Sequence, residues 1–149
     1  MPSSKAAGGT VSASSLHVLD TSALLALIED EPGAETVERV IRSSRVVLPA
    51  VVLMEVFYIL RQERGEAEAY RLYAHCREVA DELVSELDEP MVLQAGRFKA
   101  DHKVSLADAW IAAVARVRGA TLVHKDPELE ALEGLVEMHA LPYKGANGG

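Results

Sequence analysis

Apolar residues in this chain fall into two rhythms. Short β-type runs recur at LHVL (16–19), RVVL (45–48), LVSEL (83–87), ATLVH (120–124) and LVEM (135–138). The segments between them carry helical spacing and helix-end signals. TSALLALIED follows the first run as an apolar helix, and EPGAE breaks it before a second helix that ends near Arg42. Pro49 suits a first helical position. The predicted helix behind it runs to about Arg64, where Gly65 stops it. A polar, amphipathic helix covers 66–80, and Pro90 opens another through Lys99. Ser105 caps a further helix, which ends at Arg116, Arg118 and Gly119. Asp126-Pro127 begins a short helix after the fourth run. LVSEL and LVEM carry the weakest strand pattern, so four to five strands are expected. Strands separated by helices predict an α/β fold: a central, mostly parallel sheet flanked by helices in three α/β/α layers.

Composition narrows the class. At 149 residues the chain suits one domain with a real core. Residues 16–141 carry the pattern. The stretch 1–15 reads as a disordered lead-in and 142–149 as a flexible tail. No apolar run approaches the roughly 18–20 residues of a membrane span, and the first residues lack the apolar block of a signal peptide. The single cysteine, Cys76, fits a reducing cytoplasm. The formal net charge is −8, a poor basis for non-specific nucleic-acid binding. The charge is uneven: four Arg and three Glu lie between Arg61 and Arg77, whereas Glu78 to Glu89 hold six acids and no base. A nucleic-acid partner would have to be met through local basic patches or a metal.

Candidate chemistry comes from acids that stand alone in apolar runs. LHVLDTSALLALI (16–28) has only Asp20, VVLPAVVLMEVFYIL (46–60) only Glu55, and SLADAWIAAVA (105–115) only Asp108. Asp126 follows the fourth predicted strand directly. Asp20 and Asp126 sit at strand carboxyl ends, Asp108 in the first turn of its helix, and Glu55 under two turns into its own. In a parallel sheet these places share one edge, where ligands bind. Four crowded carboxylates repel one another, and burial raises their pKa values. A hard divalent cation, Mg²⁺ or Mn²⁺, would relieve both effects. Such a centre suits hydrolysis of phosphodiester bonds.

Each acid also has a plain structural reading. Asp20 and Asp126 are favoured N-caps, and Ser105-x-x-Asp108 matches a capping box. Glu55 differs. Its helical neighbours Val51, Val52, Tyr58 and Ile59 offer no base, so it is either solvent-facing, paired at a distance, or part of a site. Ser22 could support the site or be a first-turn hydroxyl. His124 reads as a partly exposed strand-end residue and Trp110 as core or interface. Tyr58, Tyr70 and Tyr73, with Arg61, Arg64 and Arg71, form either a solvated helix face or a surface for RNA or protein.

The pieces LDTSALLALIEDEPGAE, LPAVVLMEVFYIL and SLADAWIAAVARVRGATLVHKDPEL, in this order and spacing, resemble PIN-domain ribonucleases of the VapC type, toxins of bacterial toxin–antitoxin pairs. The resemblance spans about residues 16–140. It implies a PIN-like fold and a Mg²⁺- or Mn²⁺-dependent endoribonuclease. Asp20, Glu55, Asp108 and Asp126 would be the acidic quartet, with Asp20 and Asp108 the foremost metal ligands and Ser22 in support. It also implies a homodimer and a VapB-type antitoxin that covers the acidic groove and carries the DNA-binding half. One departure stands out: His124 occupies a place where the family usually has Thr or Ser. A module that binds RNA or antitoxin without cutting is therefore the alternative. Phosphoryl transfer on Asp20 is a weaker third reading, because Ser22 stands where a second Asp would be wanted.

Overall fold

The computed structural model describes residues 15–143. Apart from Ser15, Pro142 and Tyr143, the expected lead-in and tail lie outside the described residues. The chain folds into a five-stranded sheet flanked by helices. The strands are β1 (Leu16–Leu19), β2 (Arg45–Pro49), β3 (Glu82–Val84), β4 (Thr121–His124) and β5 (Met138–Ala140). The helices are α1 (Thr21–Ile28), α2 (Ala34–Ser43), α3 (Ala50–Arg64), α4 (Glu66–Val79), α5 (Glu89–Asp101) and α6 (Leu106–Arg118), with a 3-10 turn over Pro127–Leu132. Strand order is β3-β2-β1-β4-β5, and every pairing is parallel. No helix among the described residues is long and apolar enough to cross a membrane.

The core explains why the strands read as apolar runs. Val18, Leu19, Val46, Val47, Leu48, Leu122 and Val123 are all buried, as parallel strands covered on both faces must be. Each fully buried Leu or Val contributes about 2 kcal/mol through removal of apolar area from water. Helix α6 is enclosed through Ile111, Ala112, Ala113, Val114 and Ala115. Its small side chains let it lie close to the central strands.

Several boundaries differ from the sequence expectation, and three of them have a direct structural reason. Pro49 closes β2, paired in register with Val84, and α3 starts one residue later. The third strand is Glu82–Val84 rather than 83–87. Asp88 caps α5 through the Met91 N–H, so the intervening residues form the approach to a helix. The fifth strand lies at Met138–Ala140, beyond the expected 135–138. The 3-10 turn and the turn at Gly134 use up the preceding chain, and Val136 fills the core instead.

Gly33 begins α2 at φ +105°, where side chains are strained, and a Cβ there would lie 3.0 Å from Leu141 Cβ. Gly33→Ala is expected to cost about 2 kcal/mol, read as a lower midpoint in urea unfolding. An unchanged midpoint would contradict the packing described.

Candidate functional site

The sheet directs its carboxyl edge at one cleft. Strand order runs outward from β1 through β2 and β3 on one side, and through β4 and β5 on the other, so it reverses between β1 and β4. Ligands bind at such a switch point. Asp20 follows β1, and Asp126 lies just beyond β4 on the neighbouring strand. Asp108 enters from the first turn of α6, and Glu55 from the second turn of α3. Together with Ser22 they line one cleft of about 300 Å³. All five residues singled out from the sequence are thus brought together.

Each side chain is held by its local structure. Asp20 caps α1 by accepting the Ala23 N–H at 2.8 Å. The Ser22 hydroxyl donates toward both Asp20 oxygens, at 2.7 and 2.9 Å, and itself accepts the Lys125 N–H at 2.7 Å. Ser22 therefore ties the end of β4 to the carboxylate behind β1. Glu55 is half-buried and accepts the Thr21 hydroxyl on Oε1 at 2.5 Å. Ser105 caps α6 by accepting the Asp108 N–H at 3.0 Å. Asp126 caps the 3-10 turn through the Glu128 N–H at 3.0 Å.

The electrostatics are those of crowded acids. Asp20 is 2% exposed. Burial raises its pKa to about 7; the hydrogen bonds from Ser22 and Ala23 pull downward, and Asp108 and Asp126 push it up again. Asp108 is also raised to about 7, first by burial and then by the charges of Asp126 and Glu55.

Two features were not foreseen. Glu128 joins the cleft: one carboxylate oxygen each from Asp108, Asp126 and Glu128 lies within 4.8 Å of the others. It is the only such triplet among the described residues, and Asp20 and Glu55 line the cleft beside it. In the sequence, Asp126-Pro127-Glu128 has the form of an ordinary helix start, with Glu128 as an acid suited to its first turn. Thr21, the partner of Glu55, was also missed; its place directly after the strand-end Asp was the available signal.

His124 corrects an expectation. It is 1% exposed rather than partly exposed, because the Tyr143 ring packs beside it and β4 is covered on both faces. Burial lowers its pKa, and its Nδ1 accepts the Asp126 N–H at 3.1 Å. The ring thus fixes the backbone that presents Asp126. The Lys125 ammonium turns aside to Glu31 and the Pro32 carbonyl, at 3.1 and 2.9 Å.

Comparison with known proteins agrees with this architecture. Among solved structures, VapBC2 of Rickettsia felis bound to a promoter DNA fragment matches with a TM-score of 0.69 at 14% identity, over 84% of this chain and 98% of that one. DNA-bound VapBC of Salmonella typhimurium matches at 0.68 and 16%, over 85% and 98%. VapC20 of Mycobacterium tuberculosis, described as a sarcin–ricin loop cleaving toxin, matches at 0.63 and 22%, over 78% and 95%. At these identities the likeness is one of fold. No curated protein sequence matches significantly. The PIN domain family model matches residues 17–135, an interval that contains every acid of the cleft. By that match, and by the five-stranded parallel sheet with its acidic edge, the chain belongs to the PIN domain family.

Proposed function

We propose that this protein is a divalent-metal-dependent endoribonuclease, the toxin of a toxin–antitoxin pair. The observation that carries the reading is the meeting of Asp20, Glu55, Asp108 and Asp126, from four separate segments, in one cleft. The donor set suits Mg²⁺ or Mn²⁺: the cleft offers carboxylate oxygens and no sulfur, and the nearby His124 Nδ1 is already engaged. Asp20, Asp108 and Asp126, with Glu128 close by, would hold the ion. When bound, the ion would polarise a phosphodiester and make water more acidic.

The protein's own groups divide the remaining work. Ser22 locks the Asp20 carboxylate by donating to both oxygens, so little reorganisation is needed on binding. Thr21 occupies Oε1 of Glu55 and leaves Oε2 to take a proton from water approaching the scissile phosphate. Two further suppositions belong to this reading. The chain acts as a homodimer in the cytoplasm. A VapB-type antitoxin covers the cleft and makes the DNA contacts, since two of the similar structures are VapBC assemblies bound to DNA.

The test is cleavage of a mixed RNA pool by the purified protein. Activity is expected with Mn²⁺, to vanish in EDTA and to return when Mn²⁺ is restored. The buried His124, in the place of the usual Thr or Ser, favours a second reading: a module that binds RNA or antitoxin without cutting. Absence of cleavage under all metal conditions would select that reading.

A further inference from the structure

An acidic cleft in a chain of net charge −8 repels a polyanion, so an RNA strand needs cationic anchorage outside the cleft. The helix face flagged in the sequence does not supply it. Arg61 is paired with Glu66, Arg64 with Glu29, and Arg71 with Glu68. Tyr70 and Tyr73 pack edge-on against Phe57. Elsewhere Arg42 is held by Glu38, Arg118 by Glu82 and Lys125 by Glu31.

The segment from the end of α5 to the start of α6 is different. Residues 97–103, RFKADHK, hold three bases against one acid. Among the described residues neither Arg97 nor Lys103 has an ion-pair partner, and Lys99 donates to the Val104 carbonyl, which fixes the loop. Arg97 and His102 line a groove with Gln94 and Arg116, of about 160 Å³. That is several times the ~30 Å³ a water molecule occupies in the liquid. Arg116 is tethered there by donation to the Leu135 carbonyl, which leaves its other N–H groups available. Asp101 is the one acid of the lining.

Along the chain the groove also adjoins the acidic cleft. His102 ends α5 and lines the groove; Ser105 caps α6 and lines the acidic cleft. The two are three positions apart, a backbone reach of at most roughly 11 Å.

We propose that the groove of Arg97, His102 and Arg116 binds a backbone phosphate of the RNA strand flanking the bond held in the acidic cleft. The inference rests on the nuclease reading. Arginine forks suit a phosphate, and contacts of this kind position a strand without reading its sequence. The groove therefore sets affinity and register, while the cleft performs the chemistry.

The test is the kinetics of Mn²⁺-dependent cleavage of a single-stranded RNA at increasing KCl. Arg97→Ala combined with Arg116→Ala is expected to raise KM about 10-fold and leave kcat within about two-fold. It should also flatten the slope of log(kcat/KM) against log[KCl] by about 0.7, the value of one phosphate contact on a single strand. Arg97→Glu, an exposed single change, should raise KM further, and Arg39→Ala on α2 should leave KM and slope unchanged. RNA cleavage with KM and slope unaltered in both groove variants would overturn the groove and leave the nuclease reading standing. Failure of the unsubstituted protein to cut RNA would overturn both.

Discussion

Asp108→Asn is expected to lower Mn²⁺-dependent RNA cleavage by about 100- to 1000-fold, the range seen when a group that stabilises transition-state charge is removed. The side chain keeps its shape, and the Asp108 N–H still donates to Ser105, so α6 keeps its cap. What disappears is one of three carboxylates whose oxygens lie within 4.8 Å of one another. Asp20→Asn should fall similarly, because an Asn amide oxygen still accepts from Ala23 and Ser22 but carries no charge. Single-turnover cleavage of a labelled RNA measures both losses. Full activity in either variant would remove the acidic cleft from the mechanism.

Without metal, Asp108→Asn is expected to be more stable than the unsubstituted protein at pH 8, on the order of a few kcal/mol and several degrees in Tm. The sign follows from linkage. The Asp108 carboxyl is raised from an ordinary value near 3.8 to about 7 in the folded state. The folded protein therefore holds a proton that the unfolded chain releases, and stability falls as pH rises from about 4 to about 7. The variant has no such proton to lose. Its advantage should be near zero at pH 4, grow through that window and level off above it. Comparing the two proteins at each pH cancels the opposite contribution of the buried imidazoles His17 and His124, whose pKa values are lowered. Saturating Mn²⁺ at pH 8 should stabilise the unsubstituted protein and erase the difference. Thermal unfolding from pH 4 to 8, with EDTA and with Mn²⁺, is the measurement. A difference independent of pH would mean that neither burial nor the neighbouring acids raise the Asp108 carboxyl.

Glu55 shows why much of the site was legible in the sequence. A carboxylate inside fifteen otherwise uncharged residues has to answer to something outside its own helix. Asp20 and Asp126 were more ambiguous, since each could be a helix cap or a site residue. The structure makes both of them caps and places both in the cleft: the N-cap oxygen fixes the side chain at the sheet edge where the other acids gather. Glu128 was not legible, because Asp-Pro-Glu is also how a helix begins and an exposed Glu is unremarkable there. The burial of His124 depends on Tyr143, nineteen positions on, and no local pattern carries such a contact. The parallel fold followed from the alternation of runs. The outer strands β3 and β5 were misplaced because each has only three residues, too few for periodicity to mark an end.

The position of β1 at the heart of the sheet carries a consequence for biosynthesis. The first strand made finds its partner β4 only after some hundred residues have followed, and Asp126 and Glu128 arrive later still. A nascent chain that has not yet reached these residues therefore lacks two of the acids of the cleft. On the nuclease reading proposed above, cutting would begin only once Asp126 and Glu128 have emerged and β4 has joined β1, so a shorter nascent copy would leave its own message intact.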